Sequence, residues 1–173
     1  MKNSLRTLAL LIASCFPFSY VLATNSVPTE LASFEVADSK LPAQKFILKT
    51  TSAIQAAATQ FKTNKVATGD LANAYAHQRY AVSLFNSGLH VRAVYHSRLA
   101  RQFAIKSLKA NKASNAQSFS VDSSESGIFN VKSGMVSEGE LMNDLKKQNG
   151  ENTLSDIQVS SMSFSDISAD SIR

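Results

Sequence analysis

Three histidines are the residues of this chain best suited to acid–base or metal chemistry, and their neighbours decide what they can do. His77, His90 and His96 fall in one region that holds a single carboxylate, Asp70, and no thiol. His90 and His96 are six residues apart, which does not bring two imidazoles onto one helix face as an i, i+4 spacing does. Zinc takes three or four protein ligands, so a site here would need ligands from the distant C-terminal segment. Serines are abundant, but none sits in a nucleophile-elbow context, and no acid is placed to orient a histidine base. From residue 40 onward paired carboxylates occur only beyond residue 111, and neither a P-loop nor a dinucleotide-binding glycine pattern is present. The expectation is a protein that is not an enzyme and carries no metal and no cofactor.

The histidines sit on two helix-length segments, Thr68 to Asn86 and Leu89 to Ala110, broken by Asn86-Ser87-Gly88. At 100° per residue, Leu71, Ala74, Tyr75, Ala81, Val82 and Phe85 share one face of the first. Leu89, Ala93, Leu99, Ala100, Phe103 and Ala104 share one face of the second. Thr68 is a candidate N-cap, and Gly88 suits a left-handed closing residue, since it lacks a Cβ. So short a break predicts an antiparallel hairpin in which Ala81 meets Ala93 or Val94 and Ala74 meets Ala100. The same register sets Gln78 level with His96. A buried amide or imidazole without a partner costs about 1–3 kcal/mol, so these two are expected to hydrogen-bond across the hairpin as a structural pair.

Upstream, residues 40–64 form a third helical segment, with Ser39 as N-cap and Pro42 in the first turn. Phe46, Ile47, Ala53, Ile54, Ala57, Ala58 and Phe61 make its broad apolar face. The expected fold is therefore all-α, a small antiparallel three-helix bundle at 40–110 built on the hairpin. An apolar strip around Val91, Val94 and Ile105 is left for the first helix or a partner to cover. Gly88, Ala93 and Ala100 are spaced like small residues of a tetratricopeptide unit, but its Trp, Leu-Gly and Tyr positions are unmatched and no second copy follows. No family is recognised.

The two ends of the chain differ from this centre. Lys2 and Arg6 precede an apolar run from Leu8 to Phe18 and a small-residue site at Val21-Leu22-Ala23. That layout is a secretory signal peptide over 1–23, which implies export to the periplasm or medium and leaves no transmembrane segment in the mature chain. Ile12-Ala13-Ser14-Cys15 resembles a lipobox, but Arg6 crowds the apolar run and Phe16-Pro17-Phe18 extends it, which argues against a lipoprotein. Cleavage after Ala23 removes Cys15, so disulfides and thiol chemistry are excluded from the mature chain. Residues 24–39 read as an extended leader. Residues 111–173 are rich in Ser, Asn and Asp and read as a largely disordered tail, with one short helix near 138–148 opened by the Ser137–Glu140 capping box.

The formal charge of +5 conceals an asymmetry. Residues 40–109 hold eleven Lys or Arg against one acid, whereas 111–173 hold five basic and nine acidic residues. Arg98, Arg101, Lys106 and Lys109 are the candidate anion-binding surface of the second hairpin helix, toward lipid headgroups or acidic polysaccharide. The acidic tail could fold back and screen that face. Taken together, the sequence suggests an exported helical protein acting by binding or structural association in the cell envelope. Its partner would be a protein or an anionic envelope component. The alternative is a cationic anion-binding protein modulated by its acidic tail. Peripheral membrane contact fits either reading, and export makes nucleic acid an unexpected partner.

Overall fold

The structure, a computed structural model, describes residues 29–129, 136–149 and 154–173. The signal-peptide region 1–23, with Cys15 and the lipobox-like stretch, lies outside the described residues. Among those described are six α-helices: α1 (Thr29–Asn64), α2 (Asp70–Asn86), α3 (His90–Ala110), α4 (Ser123–Ser126), α5 (Glu138–Asn149) and α6 (Asp156–Ser161). Short 3-10 turns at Ala116–Phe119, Gly127–Phe129, Ser165–Ile167 and Ala169–Ser171 complete the path.

The hairpin forms through its glycine. Gly88 takes φ +80°, its N–H bonds the carbonyl of Phe85 at 2.9 Å, and Leu89 N–H reaches back to Leu84 O at 2.9 Å. This is a Schellman closure, which satisfies two carbonyls that the end of α2 would leave bare. Alanines line the seam, with Ala74, Ala81, Ala93, Ala100 and Ala104 all fully buried. Leu89, expected on the apolar face, is instead exposed at the apex as the N-cap of α3. α1 lies chiefly against α3 and buries Phe46, Ile47, Ala53, Ile54, Ala57 and Phe61. Val94 is buried in this arrangement, and Val91 and Ile105 are half-buried.

One helix boundary and the fold class differ from the sequence reading. α1 runs back to Thr29 through Ser39, so the leader is helical over 29–39 and Pro42 lies inside the helix. Glu30, Leu31, Ala32, Glu35 and Ala37 are strong enough helix formers to carry the helix past the N–H that proline lacks. The larger correction concerns the fold class. This is a bundle of six helices, and the described parts of 111–173 fold onto it where a disordered tail was expected.

Apolar packing, hydrogen bonds and ion pairs hold the C-terminal segment. Apolar side chains spaced along it, Ala116, Leu141, Leu145, Val159 and Ile167, are buried. α5 lies over α2 and α3, and α6 bridges α1 and α2. Thr51 Oγ donates to the carbonyl of Ile167 at 2.7 Å, and Tyr75 OH donates to Asp166 at 2.6 Å. Burial and that carboxylate push the Tyr75 phenol up to about 12.

Carboxylates make further attachments. Asp156, the first residue of α6, sits on the N-terminus of α2, accepting from the N–H groups of Thr68, Gly69 and Ala72, each at 2.8 Å. Gly69 is the N-cap residue and has no capping side chain, so this remote carboxylate does the work expected of Thr68. Arg101, 1% exposed, donates from one nitrogen to both oxygens of Glu125 at 2.8 Å. Its remaining donors reach Thr50 Oγ at 2.9 Å and Phe46 O at 2.8 Å, and the guanidinium lies 3.9 Å above the Phe46 ring. Lys49 bridges Glu125 and Asp122, and holds the Asp122 carboxyl well below its usual range.

Removing one partner of a buried, fully bonded ion pair typically destabilises by about 3–5 kcal/mol. Arg101→Ala is expected to lower the unfolding free energy by that amount in urea titration. Lys109→Ala, at an exposed position, should stay within about 0.5 kcal/mol of the parent. Equal effects from the two would mean that Arg101 does not occupy the interior.

Candidate functional site

The candidate anion surface does not assemble as expected. Lys106 and Lys109 are exposed, Arg98 is half-buried, and Arg101 is inside the bundle on Glu125. Lys106 rests its ammonium 4.9 Å over the Phe103 ring. Arg101 was assigned to the surface by helical angle alone, and α1 with α4 closes over that angle.

The structural pair is corrected too. Gln78 does not bond His96; its amide nitrogen donates to Ile47 O at 2.7 Å and Thr51 Oγ at 3.0 Å. The residue before it, one 100° step round the helix, meets His96 instead. His77 Nδ1 and His96 Nδ1 are 3.1 Å apart, and both residues are fully buried.

The two rings lie 26° from parallel with centroids 5.3 Å apart. That separation exceeds the N···N distance by about two ring radii, so the nitrogens meet edge to edge along a line through both rings. One Nδ1 carries a proton and donates, and the other accepts. The outer nitrogens have poorer partners. His77 Nε2 is 3.1 Å from Met142 Sδ, while His96 Nε2 is 3.7 Å from Asp144 and makes no hydrogen bond. Arg92 holds the same Asp144.

A single added proton, placed on His96, would face the Asp144 carboxylate and keep the inner bond. A second would set two N–H groups against each other. Burial, then the neighbouring His96, lowers His77 to about 3. Burial lowers His96 to about 4, with Asp144 pulling upward and Arg92 downward. The pair is neutral at pH 7, with the Asp144 carboxylate 3.7 Å from His96 Nε2. Among the described residues, no group of three or more His, Cys, Asp or Glu is placed to hold a metal ion.

A cleft of about 580 Å³ opens beside this pair. Arg79, Tyr80, Val82, Ser83 and Asn86 of α2 line one side, and Gln148 of α5 with Asp166, Ser171 and Arg173 line the rest. Asn86 fixes the far wall. Its amide donates to Ser171 O at 2.7 Å and its oxygen accepts from Arg173 N–H at 2.8 Å, on either side of the buried Ile172. Tyr80 belongs to both features, since its ring meets His96 edge-on at 4.6 Å while lining the cleft.

Sequence reasoning singled out none of the polar cleft residues as a site. The 79, 80, 83, 86 spacing was a visible signal of a common face, whereas nothing in the sequence set Arg173 across from Arg79. Comparison with known proteins gives no match to a family model, a curated protein or a solved structure.

The buried pair makes a pH prediction. Imidazoles whose folded pKa lies below the ordinary 6.5 contribute stability that is complete above pH 6.5 and is lost as pH falls toward 4. The slope is about 1.4 kcal/mol per pH unit for each histidine. Depressed carboxylates such as Asp144 add their loss only below about pH 4, near the ordinary value of 3.8. Urea titrations at pH 7, 6, 5 and 4.5 should show this fall, and His77→Phe should remove about half the slope. An unchanged slope would place these imidazoles in water.

Proposed function

We propose that this chain is an exported, non-enzymatic helical protein that works by binding in the cell envelope, and that the cleft beside α2 is its ligand seat. One observation carries the binding reading. Residues of three separate segments, α2, α5 and the C-terminal turns, line one cleft of about 580 Å³, a volume in the range of ligand sites. The described residues form an all-helical globular domain without a catalytic signature. Among them, no helix is long and apolar enough to cross a membrane. Export rests on the Lys2/Arg6, apolar-run and Val21-Leu22-Ala23 pattern.

A broad polybasic surface governed by a mobile acidic tail is the poorer reading. Lys49, Arg92 and Arg101 already meet Asp122, Asp144 and Glu125 from the C-terminal segment. That leaves recognition to the cleft.

Fractionation of cells expressing the full chain, with mass spectrometry of the mature N-terminus, should find it outside the cytoplasm and cut after Ala23. An unprocessed cytoplasmic chain overturns the export part. A saturation-transfer screen of small fragments should yield binders whose affinity falls by tenfold or more, about 1.4 kcal/mol, when Ser83→Trp fills the cleft. Binders indifferent to that change would move the seat elsewhere.

A further inference from the structure

We infer that α5 is an acid-released strap: it covers the outer nitrogens of the buried His77–His96 pair, and protonation of that pair drives it off the hairpin. The device stands whether or not the cleft holds a ligand.

Two neutral imidazoles carry two N–H hydrogens between them, and the 3.1 Å inner bond takes one. The other sits on one outer nitrogen and leaves the second outer nitrogen as a bare lone pair. Both of these nitrogens end on α5. With the hydrogen on His77 Nε2, the contact to Met142 Sδ at 3.1 Å is satisfied, and the bare His96 Nε2 faces the Asp144 carboxylate at 3.7 Å. With the hydrogen on His96, the bare His77 Nε2 faces the thioether sulfur. One added proton would fill both positions, but burial opposes the charge and holds both imidazoles below their ordinary value. Lifting α5 lets water reach both outer nitrogens, and the pair then takes its proton near the ordinary 6.5.

The surroundings leave this titration to the pair itself. Arg92 of α3 and Asp144 of α5 are the charges that act on His96, in opposite directions. Tyr80 of α2 presents its ring edge to His96, and Phe103 of α3 stacks on His77. α1 meets this stretch of α2 through the uncharged Ile47 carbonyl and Thr51 hydroxyl, both on Gln78. Glu140 of α5 interacts with Arg92 and Asp144. Its carboxyl lies below the usual range through the Ser137 backbone, and that of Asp144 does so despite burial, through Arg92. Both stay ionised between pH 7 and 5.

α5 is built to come away as a unit. It meets α2 and α3 far less extensively than those two helices meet each other. Its buried anchors are Leu141 and Leu145, with Asp144 on the part-exposed Arg92. The Ser137–Glu140 capping bonds lie within the segment itself, so they survive release. Gln148 of α5 lines the cleft, so release also removes part of that lining.

The released form binds a proton that the docked form refuses. Opening is therefore favoured as pH falls below 6.5, by at most about tenfold per pH unit for one proton.

The test is amide hydrogen exchange of the full chain at pH 7, 6 and 5, corrected for the intrinsic exchange rate. Protection of the α5 amides should fall by about tenfold or more from pH 7 to pH 5, and at pH 5 lie at least about tenfold below that of the α2 and α3 amides. One shared protection factor for α5 and the hairpin at every pH overturns the strap, since the helices then open only together. Weaker but pH-independent protection of α5 overturns the proton control. The double variant His77→Leu/His96→Leu, close to the parent in side-chain volume, should keep α5 protection level across this range, and an undiminished pH response in it overturns the inference. The imidazole Cε1–H signals of His77 and His96 in the parent give a readout that needs no variant. They should shift over the pH interval in which α5 opens, and signals that stay fixed there assign the response to another group and overturn the inference.

Discussion

Arg101 carries a guanidinium into the middle of a helix bundle, and much of the chain beyond it is arranged to meet that charge. An unmatched cation there would be untenable, since burial of a charge is tolerated only with a partner and full hydrogen bonding. Glu125 supplies the partner, and α4 exists to present it. The Asp122–Glu125 capping box closes that four-residue helix, and Lys49 ties its start to α1. A helix so short has little stability of its own. It is held by what it does for Arg101, and it starts the chain on a path back over the bundle.

The rest of the C-terminal segment follows the same logic with other groups. Asp156 completes the amide donors of α2, Thr51 takes up the Ile167 carbonyl, and Asn86 ends the path at Arg173. Between these points, isolated apolar residues fill gaps that three helices leave open. The loose echo in the sequence, Ser155-Asp156-Ile157 and Ser165-Asp166-Ile167, resolves into two different uses. Asp156 caps a helix and Asp166 takes the Tyr75 hydroxyl, while Ile157 stays in water and Ile167 is fully buried.

The hairpin was legible because its signals are local: a glycine at the turn, and alanines at helical spacing on both sides. The partners of its polar residues were not. Pairing Gln78 with His96 was one residue out, and one residue on a helix is 100°, enough to turn Gln78 toward α1 and bring His77 to the seam. The C-terminal segment was misread because average composition hides position. Leu141, Leu145, Val159 and Ile167 are sparse, yet each lands in a prepared hollow. The nine acids of 111–173 were expected to screen the basic face formed by the eleven cations of 40–109, but which acid meets which cation was not legible. The cleft depends on residues from three distant parts of the chain, and only the α2 stripe was visible in advance.

The cap on α2 has a temporal consequence. Residues 69 and 156 are joined by a contact spanning 87 positions, so the entrance of a central helix stays unfinished until nearly the whole polypeptide has emerged. Contacts of such long range form late, after the entropy of closing the intervening chain has been met. A prematurely ended product would keep its hairpin and leave that entrance raw, with bare amides a protease or chaperone can distinguish from the finished article. The fold thereby carries its own check on the length of the chain that made it.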